Sequence, residues 1–356
     1  MNAVAAPVAS SQRPPAVLRL SWERPLRAWS TWWSTLQPTL ATLAAGLPGW
    51  QLRVVLPLEV DDHADDAVLL EVCRQLAGVH VGVDLSPRVG GLRALNTMTA
   101  STFQARLLAS LEVLNGGLHE IAALGISPGV MVHLEPSEPQ VGAVLAVSNA
   151  TTVGRRLRGV TMTIAGVASA IWTARQGRRD LLELVRDLRA LPWPVIATSP
   201  PPLLPLDTIA GARALPWLLG CPDTWGDDVD GGLFGPTAAL CFAPLLGSVV
   251  GARDRVEQHR ALTLWAARHR EHSAAVCLGP FASPAGFTIG DDVVYQSPGH
   301  LRQDLQAVRA LGFVDITLTG FDGLLLGRDD VLRSADERRA WLHAVTDSAV
   351  SDVAAA

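Results

Sequence analysis

Eight short apolar runs, separated by longer stretches, constrain this 356-residue chain more than any other feature. They are Ala16 to Trp22, Leu52 to Leu58, Val79 to Leu85, Val130 to Leu134, Pro194 to Thr198, Ala238 to Phe242, Ala274 to Leu278 and Val314 to Leu318. Short apolar runs bounded by Pro, Gly or Asp read as strands, and longer amphipathic stretches read as helices. Several of the runs are almost continuously apolar, as parallel strands covered on both faces are. Alternation with helices selects an α/β sheet, and eight repeats favour closure. The expected fold is a single (β/α)8 TIM-type barrel over residues 16–345, with disordered tails at 1–15 and 346–356. An extended helical segment is expected between strands four and five. No Gly-rich fingerprint follows the first strand, which argues against a dinucleotide-binding fold.

Composition then excludes several chemistries. All 29 basic residues are arginine, so there is no Schiff-base lysine, P-loop lysine or lysine general base. A formal charge of −5 argues against a nucleic-acid partner, which would want a concentrated basic face. Cys73, Cys221, Cys241 and Cys277 are far apart and form no C-x-x-C pair, which reads as buried thiols in a reduced, cytoplasmic setting. The uncharged run Gly159 to Ala174 falls short of the ~20 residues a bilayer needs. It reads as a buried helix, with Val160, Ile164, Val167 and Ile171 at helical spacing, and no membrane span is expected. Neither a cofactor nor a metal site is expected. There is no His-x-His after strand one, and no pair among His63, Asp84, His133 and Glu135 has diagnostic ligand spacing.

In a barrel the chemistry sits at the carboxyl ends of the strands. Glu135, in VMVHLEP, is a charged side chain at the end of a very apolar strand, where it must meet water, a partner or a ligand. It is the first candidate for a general acid or base; the alternative is an ion pair with Arg24 or Arg88. Glu59 and Asp84 stand at the ends of strands two and three and are candidates for a second carboxylate. Glu23, Trp22, His133, Trp225 and Asp322 are candidates for substrate binding, the tryptophans as stacking faces for a sugar. Asp322 lies in TGFDGLLLG, where an aspartate would repel a phosphate; it reads either as a turn residue or as an acceptor for a sugar hydroxyl.

The stretches VGVDLSPRVGGLRALNTMTASTFQARL, VMVHLEPSEP and VVYQSPGHLRQDLQAVRALGFVDITLTGFDGLL resemble those of a group of uncharacterised bacterial barrel proteins with glycoside-hydrolase-like architecture. The similarity is one of pattern over residues 50–330. It implies a site role for Glu135 in its V-x-L-E-P setting. The leading expectation is a hydrolase-like barrel acting on a glycan or other polyhydroxylated small molecule, with Glu135 as proton donor. Strand seven ends in CLGPF and carries no carboxylate. The alternative is therefore a non-catalytic barrel that binds a ligand or a partner protein, in which an oligomer contact would use the tryptophans.

Overall fold

The computed structural model describes residues 16–59, 66–88, 115–133, 190–199, 238–241, 255–270, 275–279, 295–327 and 331–350. Its strands are β1 (Ala16–Ser21), β2 (Trp50–Glu59), β3 (Gly82–Arg88), β4 (Pro128–His133), β5 (Val195–Ser199), β6 (Ala238–Cys241), β7 (Ala275–Leu278) and β8 (Asp315–Thr319). Each pairs in parallel with the next, and β8 returns to β1, so the sheet closes on itself. All eight expected runs overlap an observed strand. The described helices are α1 (Trp29–Gly46), α2 (Asp66–Ala77), α3 (Arg255–His269), α4 (Pro298–Ala310), the short α5 (Asp322–Leu325) and α6 (Ala335–Val350). The expected helical segment between strands four and five, with its run 159–174, lies outside the described residues. The last helix runs to Val350, into the expected tail, and packs against α4 and α1.

The third strand differs from expectation. Val79 and His80 belong to a turn that closes α2, with Val79 and Val81 N–H groups both donating to the Leu76 carbonyl at 3.1 Å. His80 takes φ +56°, which interrupts the extended backbone. The alternation in VHVGVDL therefore spans a turn and a strand. Asp84 becomes the third residue of β3 instead of its end.

Local chemistry explains the helix starts. Ser297 caps α4 by accepting from the His300 N–H at 3.3 Å, with Pro298 in the first turn. Ser334 and Glu337 form a reciprocal capping box before α6: the Ser334 N–H donates to Glu337 Oε2 at 2.9 Å, and the Glu337 N–H donates to Ser334 Oγ at 3.2 Å.

The strand registers fix which residues share a level inside the barrel. Val17 pairs with Asp315, Asp315 with Ala275, Ala275 with Ala238, Ala238 with Thr198, and Thr198 with His133. Extending the β3–β4 register leads from His133 to Arg88, which pairs with Glu59; extending the β1–β2 register leads on to Pro25. The circuit returns eight residues further along β1 (25 − 17 = 8), the stagger of an eight-stranded barrel with shear 8.

With that stagger, Arg19, Asp84, Ile196 and Ala275 from the odd strands form one interior layer. Arg53, Gly129 and Asp315 from the even strands lie below it. Val55, Met131 and Thr317 lie above, followed by Ser21, Ser86 and Cys277. Ile196 and Ala275 indeed form a small cluster of their own. The intervening positions (Leu18, Leu20, Val54, Leu56, Val83, Leu85, Ile316 and Leu318) join the main core under the helices. Among the described residues, Cys73 and Cys277 are buried and in no disulfide, and burial pushes the Cys73 thiol up to about 12. A thiol so displaced from thiolate is inert at neutral pH. No helix among the described residues is long and apolar enough to cross a membrane.

Candidate functional site

The barrel interior has a charged floor. Arg19, Arg53, Asp84 and Asp315 are all buried. Arg19 Nε donates to Asp84 Oδ2 at 2.8 Å, and its Nη1 is paired with Asp315. Arg53 Nη2 donates to Asp84 Oδ1 at 2.6 Å, and its Nε is 3.0 Å from Asp84 Oδ2. Arg53 Nη2 also donates to the Val83 and Ser127 carbonyls, each at 2.9 Å. Burial opposes the ionisation of Asp84, but Arg53 and Arg19 together hold its carboxyl below the usual carboxylate range. Asp315 moves the other way. Burial dominates there, the Arg19 guanidinium it pairs with is shared with Asp84, and the Asp84 anion pushes it further up, while Arg53 offsets this only in part. Two glycines make the room: a Cβ on Gly82 would lie 2.8 Å from Arg53 Nη1, and one on Gly129 would collide with Asp84 Oδ1. Asp84 is 1% exposed and has both oxygens engaged.

The second constellation sits at the carboxyl end, on the seam between the last and first strands. Ser21 ends β1 level with Thr319 at the end of β8. The Ser21 carbonyl accepts from the Gly320 N–H at 3.1 Å and the Phe321 N–H at 3.2 Å, which ties the two exits together. Gly320 takes φ +67°, a turn conformation that a side chain would strain. Past this knot, Arg24 Nε donates to Asp322 Oδ2 at 2.7 Å, and Ser21 Oγ donates to Glu23 Oε1 at 2.6 Å. Asp322 is buried, and its Oδ1 accepts no hydrogen bond. Burial pushes the Asp322 carboxyl above the usual range and the Glu23 charge adds to that; Arg24 only partly offsets them. Cys277 Sγ and Thr319 Oγ1 lie 2.8 Å apart just below.

The sequence candidates thus fall into separate places. Glu23 and Asp322 come together on the seam, with Arg24 paired to Asp322. Asp84 lies in the charged floor. Trp22 turns to the helical side, edge-on to Trp29 with ring centroids 5.1 Å apart, and 5.7 Å from Phe321. At 1% exposure it has no free face for a sugar. Glu59 ends β2 opposite Arg88 at the end of β3, and His133 ends β4, so their backbones reach the carboxyl end of the barrel. Glu135 and Trp225 lie outside the described residues. Sequence reasoning missed Arg19, Arg53 and Asp315 as a set. The available signal was a charge in the middle of an apolar strand, as in VLRLS and QLRVV. Among the described residues, no group of three or more His, Cys, Asp or Glu could hold a metal ion.

The raised Asp322 carboxyl has a measurable consequence. Below about pH 3.9, the ordinary aspartate value, it is protonated in the folded and unfolded chain alike, and its contribution to stability is fully present. As pH rises towards the folded value, the unfolded chain ionises first, so that contribution is lost. We expect Asp322→Asn to lose less stability than the parent over this rise, measured as the difference in thermal midpoint across pH. A difference that stays flat with pH would show that Asp322 is not raised.

No family model and no curated protein matches this chain. Solved barrels do resemble it in chain course. A fungal β-1,4-galactanase structure has 12% identity and a TM-score of 0.48, covering 95% of this chain and 100% of its own. An Anabaena variabilis protein named for sugar phosphate isomerase/epimerase activity has 11% identity and a TM-score of 0.42, covering 96% and 98%. A Parabacteroides distasonis sugar phosphate isomerase/epimerase has 10% identity and a TM-score of 0.35, covering 98% and 97%. Likeness at this level carries no argument about function; the closed barrel stands on its own strand pairings.

Proposed function

We propose that this chain acts on a glycan or another polyhydroxylated small molecule by carboxylate acid/base chemistry at the carboxyl ends of its strands. The observation that supports it most is the carboxyl pair on the β1–β8 seam, where Asp322 is shifted towards its protonated form beside the Glu23 charge. A buried carboxyl held towards its protonated form shows that the carboxyl end of this barrel can keep an acid protonated. In this reading Glu135 donates the proton and Glu59 supplies the second carboxylate. Asp84 is a poor choice for that role, since its oxygens are committed to Arg19 and Arg53. His133 at the end of β4, together with Glu23 and Asp322, contacts substrate, and the protein works in the cytoplasm.

The test is turnover of a panel of aryl glycosides and polysaccharides by the full chain and by Glu135→Gln. The variant keeps the side-chain shape and removes the ionisable proton. We expect turnover of any substrate found to fall by about 10²-fold, the lower end of what general acid–base catalysis contributes. Full turnover by Glu135→Gln would reject Glu135 as the acid.

A further inference from the structure

Barrels of this architecture frequently bind phosphate beyond strands seven and eight, on backbone N–H groups and a helix N-terminus. The turn TGFDG after β8 occupies that place, and its two glycines would let a phosphate approach the backbone. Most of its donors are already spent. The Gly320 and Phe321 N–H groups both donate to the Ser21 carbonyl, at 3.1 and 3.2 Å. The Gly323 N–H donates to the Gly320 carbonyl and the Leu324 N–H to the Phe321 carbonyl, each at 2.9 Å. The remaining one belongs to Asp322, beside its own carboxyl group. Four of the five N–H groups from 320 to 324 are therefore taken by backbone carbonyls.

The side chains point to the opposite chemistry. The seam presents Asp322 and Glu23, and among the described residues the cation beside them is Arg24, whose Nε is on Asp322 Oδ2. Asp322 Oδ1 is a buried oxygen that receives no donor, an arrangement that costs stability unless something supplies one. Beside it, Arg24 and Glu23 are half-buried. The geometry points to a subsite on the β1–β8 seam for an uncharged polyhydroxylated ligand, a free sugar or polyol, whose hydroxyl donates to Asp322 Oδ1. A sugar phosphate is disfavoured at this subsite, because a group carrying about −1.5 to −2 charges at pH 7 would meet the Asp322 and Glu23 carboxyls, where, among the described residues, the N–H groups of 320, 321, 323 and 324 are already taken. This inference names the ligand class for the reading proposed above and rests on it for the sugar-directed character of the site.

The experiment is titration calorimetry on the full chain with matched probes: glucose against glucose 6-phosphate, galactose against galactose 1-phosphate, and inorganic phosphate as competitor. We expect at least one free sugar to bind, its phosphate to bind at least tenfold more weakly, and inorganic phosphate not to displace it. Asp322→Asn should weaken the free sugar about tenfold. Glu23→Gln, which keeps the Arg24–Asp322 pair, should narrow the gap between sugar and phosphate and carries the test should Asp322→Asn not fold. Equal or tighter binding of the phosphorylated probe, displacement by inorganic phosphate, or no binding of either free sugar would overturn the inference. Preference for the free sugar without turnover would sink the acid–base reading and leave this one standing. Glu135-dependent turnover with a preference for the phosphate would do the reverse.

Discussion

Asp84→Asn is expected to cost about 3–5 kcal/mol of folding stability, the usual consequence of removing one partner from a buried ion pair. The carboxylate takes hydrogen bonds from both Arg19 and Arg53 in the barrel interior. Asparagine fills the same space but leaves two guanidinium groups facing a neutral amide. Arg19 still has Asp315; Arg53 is left with the carbonyls of Val83 and Ser127. The cost falls on folding, so chemical denaturation should show a lower midpoint with an unchanged slope. A loss below about 1 kcal/mol would mean that the floor tolerates an unpaired charge, contrary to the desolvation argument. The double variant Arg53→Met with Asp84→Leu removes cation and anion together and leaves Arg19 paired one-to-one with Asp315. It should therefore lose less than the sum of its single changes. The same carboxylate sets an acid limit. Its folded value lies below its unfolded one, so its contribution is present above about pH 3.9 and is lost as pH falls through the folded value.

That floor also shows where the sequence is legible and where it is not. Placing eight parallel strands needs only the spacing of apolar runs, because outward-facing positions such as Leu18, Leu20, Ile316 and Leu318 must be covered by helices. Inward-facing positions obey a different constraint. Their partners are set by the barrel's stagger, which brings residue 19 to the level of residue 84 across 65 positions of chain. Nothing local to VLRLS or VHVGVDL reveals that pairing. The three-residue error at the start of β3 made matters worse, because it put Asp84 at a strand end, where an acid suggests chemistry. The turn through His80 moves it into the strand, where the same acid is an interior ion-pair partner. On the seam the sequence is more informative. Glu23 and Asp322 each stand a few residues past a strand end, and neighbouring first and last strands bring them together. Trp22 misleads for the opposite reason: it continues the alternation of β1 and so belongs to the outward set, against Trp29 and Phe321.

Gly129→Ala is expected to be at least as damaging as Asp84→Asn, although it adds a single methyl group. Gly129 and Asp84 are register partners on β4 and β3. A Cβ on Gly129 would overlap Asp84 Oδ1 and would also lie 3.2 Å from both Arg53 Nη2 and the Pro194 carbonyl oxygen. None of these can retreat cheaply. Asp84 is fixed by two arginines, and the Pro194 carbonyl accepts from the Val130 N–H at 2.9 Å as part of the β4–β5 pairing. Either the ion pairs break or β4 leaves its register. Overpacking of this kind costs about 1–3 kcal/mol when neighbours can shift and more when they cannot, so we expect a loss of about 3 kcal/mol or more, or no cooperative unfolding transition at all. Gly82→Ala is the matched comparison. Its nearest neighbours all belong to the Arg53 side chain, at 2.8 to 3.2 Å, and a side chain can rotate where a paired strand cannot, so the loss there should be smaller. The decisive measurement is coupling. In an Asp84→Ala background the oxygen that blocks the methyl group is gone, and Gly129→Ala should cost markedly less than it does alone. If the two changes add without coupling, the glycine does not serve to admit the carboxylate, and the close approach of β4 to the charged floor must have another cause.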